Sequence, residues 1–217
     1  MNRITKTAVG VGLGLAAAGA MIAMTSGPEN GKAYGAKAPE KARIGHAAPH
    51  FVLADLDGKE HALKDILEAE ETKAVVLEWF NPECPVVVGH YKKNTMATVA
   101  EKFDGQGVVW LRINSGGEGK QGYGVEKNKA AAESWKIDGP ILVDASGKVG
   151  KMYDAKTTPH MYVIDDAGVL QYAGAIDDSM RNPTKNYVEL ALTSVLAGET
   201  VETAETRAYG CGVKYAN

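Results

Sequence analysis

Cysteine is scarce in this chain of 217 residues: Cys84 and Cys211 are the only two. With no compact cluster of cysteine and histidine around them, no zinc ligand set exists and a disulfide-dense scaffold is excluded, although an even pair can close one bridge in an oxidising compartment. A basic stripe interleaved with aromatics is also missing, and the formal net charge is -3. The electrostatic footprint of a nucleic-acid binder is therefore absent. The glycines of SGGEGKQGYG, residues 115–124, lead into no Gly-Lys-Ser or Gly-Lys-Thr ending, which sets a phosphate loop aside.

What is present starts with a leader. Arg3 and Lys6 precede an uncharged run rich in Ala, Gly, Val and Leu that reaches small residues at Ala18 and Ala20, the pattern of an export signal over residues 1–20. The uncharged stretch from Thr7 to Pro28 is also just long enough to span a bilayer, so an uncleaved anchor is the alternative, and the only membrane contact expected. No cysteine lies near the cleavage region, which argues against a lipid-modified terminus. Either way the body is expected outside the cytoplasm, in a periplasmic or similar compartment. Residues 21–43, rich in Gly, Ala, Lys and Pro, suit a linker. The folded domain is expected over 44–200, and 201–217 form a tail carrying Cys211.

Within the domain, PHFVLADLDGKEHALKDI gives two short strands around an Asp57-Gly58 turn, a hairpin in which His50 and His61 are expected at the surface. KAVVLEWF, residues 73–80, is a near-continuous apolar run of the kind a strand buried on both faces requires. After Cys84, the positions Val87, Val88, Tyr91, Met96, Val99 and Phe103 follow helical spacing, with Pro85 in the first turn, where its missing N–H costs nothing. GVVWLRIN supplies the next buried strand, making a parallel strand, helix, strand unit. VEKNKAAAESWKI reads as a second helix and PILVD as a short strand. TTPHMYVIDDAGVLQYAGAI reads as two strands with a turn at Asp166 to Gly168, and Thr184 to Leu196 as a closing helix. This order predicts an α/β fold with a mixed sheet flanked by helices.

Cys84 therefore falls between a buried parallel strand and the helix after it. Ligand sites gather at the carboxyl ends of such strands, and a helix N-terminus offers free N–H groups and a positive partial charge that stabilise a thiolate. Glu83 opposes this, since an adjacent carboxylate disfavours a second negative charge. The plainer alternative is a buried cysteine acting as a small hydrophobe. Trp79 and Asn81 stand close enough in sequence to shape a pocket. His90 lies six residues on, roughly 120° round a helix from Cys84, and makes a poor direct base. His160 either edges the site or is a half-exposed strand residue.

The segments ARIGHAAPHFVLADLDGKEHALKDI, VVLEWFNPECP and TTPHMYVIDDAGVLQYAGAIDD resemble the redoxin branch of the thioredoxin-like superfamily. That branch includes alkyl hydroperoxide reductase or thiol-specific antioxidant proteins and membrane-facing thioredoxin-like oxidoreductases, and the likeness runs over about residues 42–200. The resemblance implies a thioredoxin-like fold with an N-terminal hairpin extension, no cofactor and no metal. It makes Cys84 the nucleophile, with a cis Pro159 preceded by Thr158 on the face that grips substrate, and Asn81 and Pro85 beside it. It implies a protein or small-molecule thiol or disulfide as partner, or a peroxide, and an electron donor that it does not identify.

Two departures qualify that likeness. A Cys-x-x-Cys would need cysteine where Val87 stands. The peroxiredoxin pattern would need proline and threonine where Leu77 and Asn81 stand, and arginine near Pro159 and His160. Cys211, between two glycines in a pliable tail, can supply the missing partner as a resolving cysteine. It can equally be half of a permanent staple or an independent thiol. The leading expectation is an exported thiol–disulfide oxidoreductase; a thiol peroxidase and a non-catalytic binding module with a structural disulfide are the alternatives.

Overall fold

The architecture follows from one stretch, Ala74–Trp79, in which every residue is buried. A computed structural model describes residues 40–217, so the leader reading and most of the linker reading fall outside the described residues. In chain order the elements are β1 (Val52–Ala54), β2 (Glu60–Ala62), α1 (Leu63–Glu68), β3 (Ala74–Trp79), α2 (Pro85–Lys92), α3 (Thr95–Lys102), β4 (Val108–Asn114) and α4 (Val125–Ser134). They continue with β5 (Ile141–Val143), α5 (Lys148–Met152), β6 (Thr157–Thr158), β7 (Met161–Asp165), β8 (Leu170–Gly174), α6 (Tyr187–Ala197) and β9 (Cys211–Gly212). The central sheet has the order β5-β4-β3-β7-β8. β3, β4 and β5 run parallel, and β7 is antiparallel to both β3 and β8.

Because β3 is central, its alternate residues feed two cores, as the period of two along a strand dictates. Ala74 and Val76, with Phe80 and Cys84 beyond the strand, pack with residues of α2, α3 and α6; Val75, Leu77 and Trp79 pack with Phe51, Leu63, Leu67 and Tyr153. Burying each of these apolar side chains contributes about 1.5 to 3 kcal/mol. The exception is Glu78, which is 0% exposed in the middle of the strand. The Tyr91 hydroxyl lies 3.0 Å from both its carboxylate oxygens, Trp110 Nε1 donates at 2.9 Å, and Arg112 Nε is 3.6 Å away. Burial raises the Glu78 pKa, and the Arg112 charge counters it. The cluster joins β3, β4 and α2 directly behind the Cys84 turn.

The single helix expected after Pro85 is two. Asn94 adopts φ 58 and ψ 19, a left-handed conformation that asparagine tolerates better than most residues, and α2 ends there. The hairpin is present, with Val52 opposite Ala62, but the chain turns into α1 immediately after β2. His50 and His61 are both half-buried, and the His61 side chain is 14% exposed with its Nε2 2.8 Å from Asp55 Oδ2. α5 has no counterpart in the sequence reading, since its five residues carry too little periodicity to register. The stretch from Thr157 divides at Pro159 into β6 and β7, and only β7 enters the central sheet. The closing helix starts at Tyr187, where the Asn186 side chain accepts from Glu189 N–H as an N-cap, and ends at the left-handed Gly198. Among the described residues no helix is long and apolar enough to cross a membrane.

Candidate functional site

Cys84 is positioned by the turn between β3 and α2. Its N–H donates to Asn81 O at 3.1 Å, and its carbonyl accepts Val88 N–H at 2.9 Å, opening α2 with Pro85 in the first turn. Asn81 is 3% exposed. Its side-chain oxygen accepts Glu83 N–H at 2.9 Å, and its amide donates to Gln121 O at 3.3 Å. Asn81 thus braces the turn against the glycine-rich loop. A Cβ on Gly122 would stand 2.2 Å from Asn81 Oδ1, so that loop can approach only with glycine there. Glu83 also turns to this loop: its carboxylate accepts from Gly122 N–H and from Lys127 Nζ at 3.0 Å, and these contacts, the backbone one foremost, hold its pKa down.

The Cys84 thiol is 0% exposed. Its Sγ lies 3.1 Å from the Thr158 carbonyl oxygen and 2.7 Å from the Cys211 sulfur. Thr158–Pro159 is a cis peptide bond, and Pro159 is buried beside the thiol-bearing turn. Cys211 reaches this point because β9 pairs antiparallel with β6, Thr158 opposite Cys211 and Thr157 opposite Gly212. Gly210 makes the approach possible: it has φ +139, and a Cβ there would meet Thr158 O at 2.1 Å. Pro85 is exposed beside the site, at the rim of a cavity of about 200 Å³ lined also by Val86, His90 and Met180.

The two sulfurs are electrostatically unlike. Burial is the largest influence on Cys84 and raises its pKa, but hydrogen bonds from Cys211 and Thr158 and from the N–H groups of Val87 and Cys211 together outweigh it, leaving the thiol below its ordinary value. Cys211 is pushed the other way, first by burial and then by its hydrogen bond to Cys84 and the charge there. Within the pair, the Cys84 thiol is the one favoured to ionise, with the Cys211 thiol beside it. Such a pair can attack a disulfide through Cys84 and release the product through Cys211.

Other candidates from the sequence sit elsewhere. Trp79 belongs to the opposite core, with its Nε1 donating to Ser115 Oγ at 3.0 Å and its ring 5.1 Å from Tyr162. His160 Nδ1 accepts Lys156 N–H at 3.3 Å and lies 3.0 Å from the Tyr162 hydroxyl. Burial chiefly lowers its pKa to about 4, keeping it neutral. His90 is 5% exposed and faces Asp177 and Tyr209. No group of potential metal ligands occurs among the described residues.

Sequence reasoning treated the tail as pliable, whereas it crosses the site as a fastened strap. Upstream, Thr206 N–H donates to Ala173 O and Thr206 Oγ1 accepts from Ala175 N–H at 2.9 Å. Downstream, Val213 N–H donates to Lys156 O, Gly117 N–H to Lys214 O, and the Tyr215 hydroxyl to Ala155 O at 2.7 Å. Tyr215 lies over Gly147 and Gly150, where a Cβ would come within 2.5 Å of it. Tyr209 and Tyr215, on either side of Cys211 in TRAYGCGVKY, were the available signal, since tyrosines beside small residues suit a docked segment.

A strand-to-helix thiol facing a cis proline, on a mixed sheet flanked by helices, defines a thioredoxin-fold thiol protein, here with its second cysteine delivered by the tail. The chain belongs to the AhpC/TSA family, whose profile matches residues 44–173, more than half of it. It is 32% identical over 126 residues to the thiol-disulfide oxidoreductase ResA of Geobacillus thermodenitrificans (strain NG80-2), covering 58% of this chain and 65% of that relative's length. A hypothetical protein from Sinorhizobium meliloti 1021 has a similar structure, with TM-score 0.71 and 27% identity, covering 81% of this chain and 96% of the other. A putative thioredoxin from Neisseria meningitidis shares the fold at TM-score 0.54 and 16% identity, covering 71% and 93%.

Proposed function

We propose that the protein is a thiol–disulfide oxidoreductase in which Cys84 attacks and Cys211 resolves. The Cys84 thiolate forms a bond to one sulfur of a substrate disulfide, and the other sulfur leaves as a thiolate that takes up a proton. Cys211 then gives up its proton and attacks Cys84 Sγ, expelling the second substrate thiolate and closing a Cys84–Cys211 disulfide. The substrate gains two electrons and the protein loses two; run backwards, the same steps oxidise a dithiol. The observation that carries this reading is geometric: Cys211 stands 2.7 Å from a cysteine that opens a helix after a buried parallel strand, beside the cis Thr158–Pro159 bond.

Thr158 and Pro159 form the docking face for an extended polypeptide, as the pairing of β9 with β6 illustrates. Disulfide exchange is favoured over peroxide reduction because a peroxidase needs donors for the leaving oxygen. Asn81, the one candidate substitute, has its amide committed to Gln121 and its oxygen to Glu83. Export to an oxidising compartment, through the leader at residues 1–20 or an uncleaved anchor over the stretch from Thr7 to Pro28, belongs to the same proposal.

The test is stopped-flow oxidation of the reduced protein by a peptide disulfide and, separately, by hydrogen peroxide. Exchange with the peptide should be the faster, Cys84→Ser should abolish both, and Cys211→Ser should accumulate a mixed disulfide. Oxidation by peroxide more than about a hundredfold faster than that of a free thiolate, roughly 2.7 kcal/mol of transition-state stabilisation, would replace this reading with a peroxidase.

A further inference from the structure

Cys84 is 0% exposed beneath the strap, so a substrate disulfide reaches it only when the strap lifts. The strap is fastened upstream by the backbone bond of Thr206, and downstream by the pairing of Cys211 and Gly212 with β6 and the backbone bonds of Val213 and Lys214. Among the described residues, the span 207–210 makes no backbone hydrogen bond to the rest of the protein. What holds it is the Tyr209 side chain. The Tyr209 hydroxyl donates to Asp177 Oδ1 and lies 3.2 Å from His90 Nε2, and its ring centroid is 5.9 Å from that of His90. Gly210, at φ +139, joins that span to β9 and is its pivot.

The groups that meet the hydroxyl are unusual. The side chains of His90 and Asp177 are 6% and 1% exposed, and His90 Nδ1 and Asp177 Oδ2 face each other at 3.9 Å with no hydrogen-bond partner for either among the described residues. Since the Tyr209 hydroxyl gives its one proton to Asp177, the contact with His90 requires the proton of neutral histidine on Nε2, which leaves Nδ1 an acceptor. Both groups are thus oriented towards Tyr209 rather than satisfied by one another. Besides Tyr209, Asp177 Oδ1 receives among the described residues only Ser179 N–H, at 3.2 Å.

We infer that Tyr209 is a positioning residue whose hydroxyl, seated on the buried His90–Asp177 pair, sets the fraction of time Cys211 stands over Cys84. The inference rests on the redox reading of the two cysteines. A hydrogen bond to a charged acceptor changes an equilibrium by roughly ten- to a hundredfold, enough to hold the strap down yet release it to a substrate. The hydroxyl governs both steps of the exchange: its release uncovers Cys84, and its return brings Cys211 back to resolve the mixed disulfide.

The test uses full-length Tyr209→Phe, which keeps the ring, and Asp177→Asn, which keeps the shape of the socket. In the reduced protein, iodoacetamide labelling resolved by peptide mass should show Cys84 alkylating about tenfold faster in Tyr209→Phe. Equilibration with glutathione should show the Cys84–Cys211 disulfide about tenfold less favoured, a shift of roughly 30 mV. Asp177→Asn should move both readouts in the same direction, and both variants should keep a single cooperative thermal transition, showing that the fold is intact. Unaltered labelling and an unaltered glutathione equilibrium in both variants would overturn the inference. If wild-type Cys84 is inert towards peptide disulfides while Tyr209→Phe still shifts the glutathione equilibrium, the catalytic reading falls and the clamp stands.

Discussion

At the scale of single residues, burial raises the Cys84 pKa but hydrogen bonds outweigh it, the Cys211 thiol foremost among them, and this gives a pH signature. A thiol held below the ordinary value keeps its thiolate, and its alkylation rate, at pH values where a free thiol of pKa about 8.5 has become slow. Cys211→Ala removes the donor thiol, so the midpoint of the Cys84 alkylation profile should move to higher pH; an unmoved midpoint would show that Cys211 does not tune it. His160 carries a second pH effect. Its folded-state pKa is about 4 against about 6.5 in the unfolded chain, so between those values the unfolded state binds a proton that the folded state refuses. Stability present above pH 6.5 is therefore lost as pH falls towards 4, by up to about 3 kcal/mol. Urea titrations of wild type and His160→Asn at pH 7 and pH 4.5 should show a smaller loss in the variant.

Elements explain which parts of this were legible beforehand. β3, β4, β7, β8 and the thiol at the strand-to-helix turn followed from apolar runs and from the position of Cys84, because burial on both faces leaves a continuous signal. The kink between α2 and α3 did not, because Lys93 and Asn94 interrupt an apolar stripe that resumes in register. β6 and β9 are two residues each, too short for any periodicity, and their pairing is a contact between positions 53 residues apart. Glu78 was hidden inside an apolar run, although a charge in the middle of a doubly buried strand demands a partner. Its partners tie three elements together, which makes Arg112 costly to lose. Arg112→Leu leaves Glu78 buried with its charge uncompensated and should cost about 3 to 5 kcal/mol in a urea unfolding titration. A loss under about 1 kcal/mol would mean that Tyr91 and Trp110 suffice.

On the scale of the whole molecule, the strap turns a local sulfur contact into a long-range closure. Cys84 and Cys211 are 127 positions apart, and oxidation of the pair would stabilise the fold by up to about 5 kcal/mol in the chain-entropy view. Oxidised protein should therefore melt above reduced protein, and Cys211→Ala should abolish the difference while leaving the reduced midpoint almost in place. A separation of that size also has a meaning in time. A ribosome adding about 5 to 20 residues per second makes Cys84 roughly 6 to 25 seconds before Cys211 exists. Throughout that interval the thiol that opens α2 has no strap above it, and the nascent chain offers its nucleophile to whatever thiol chemistry surrounds it.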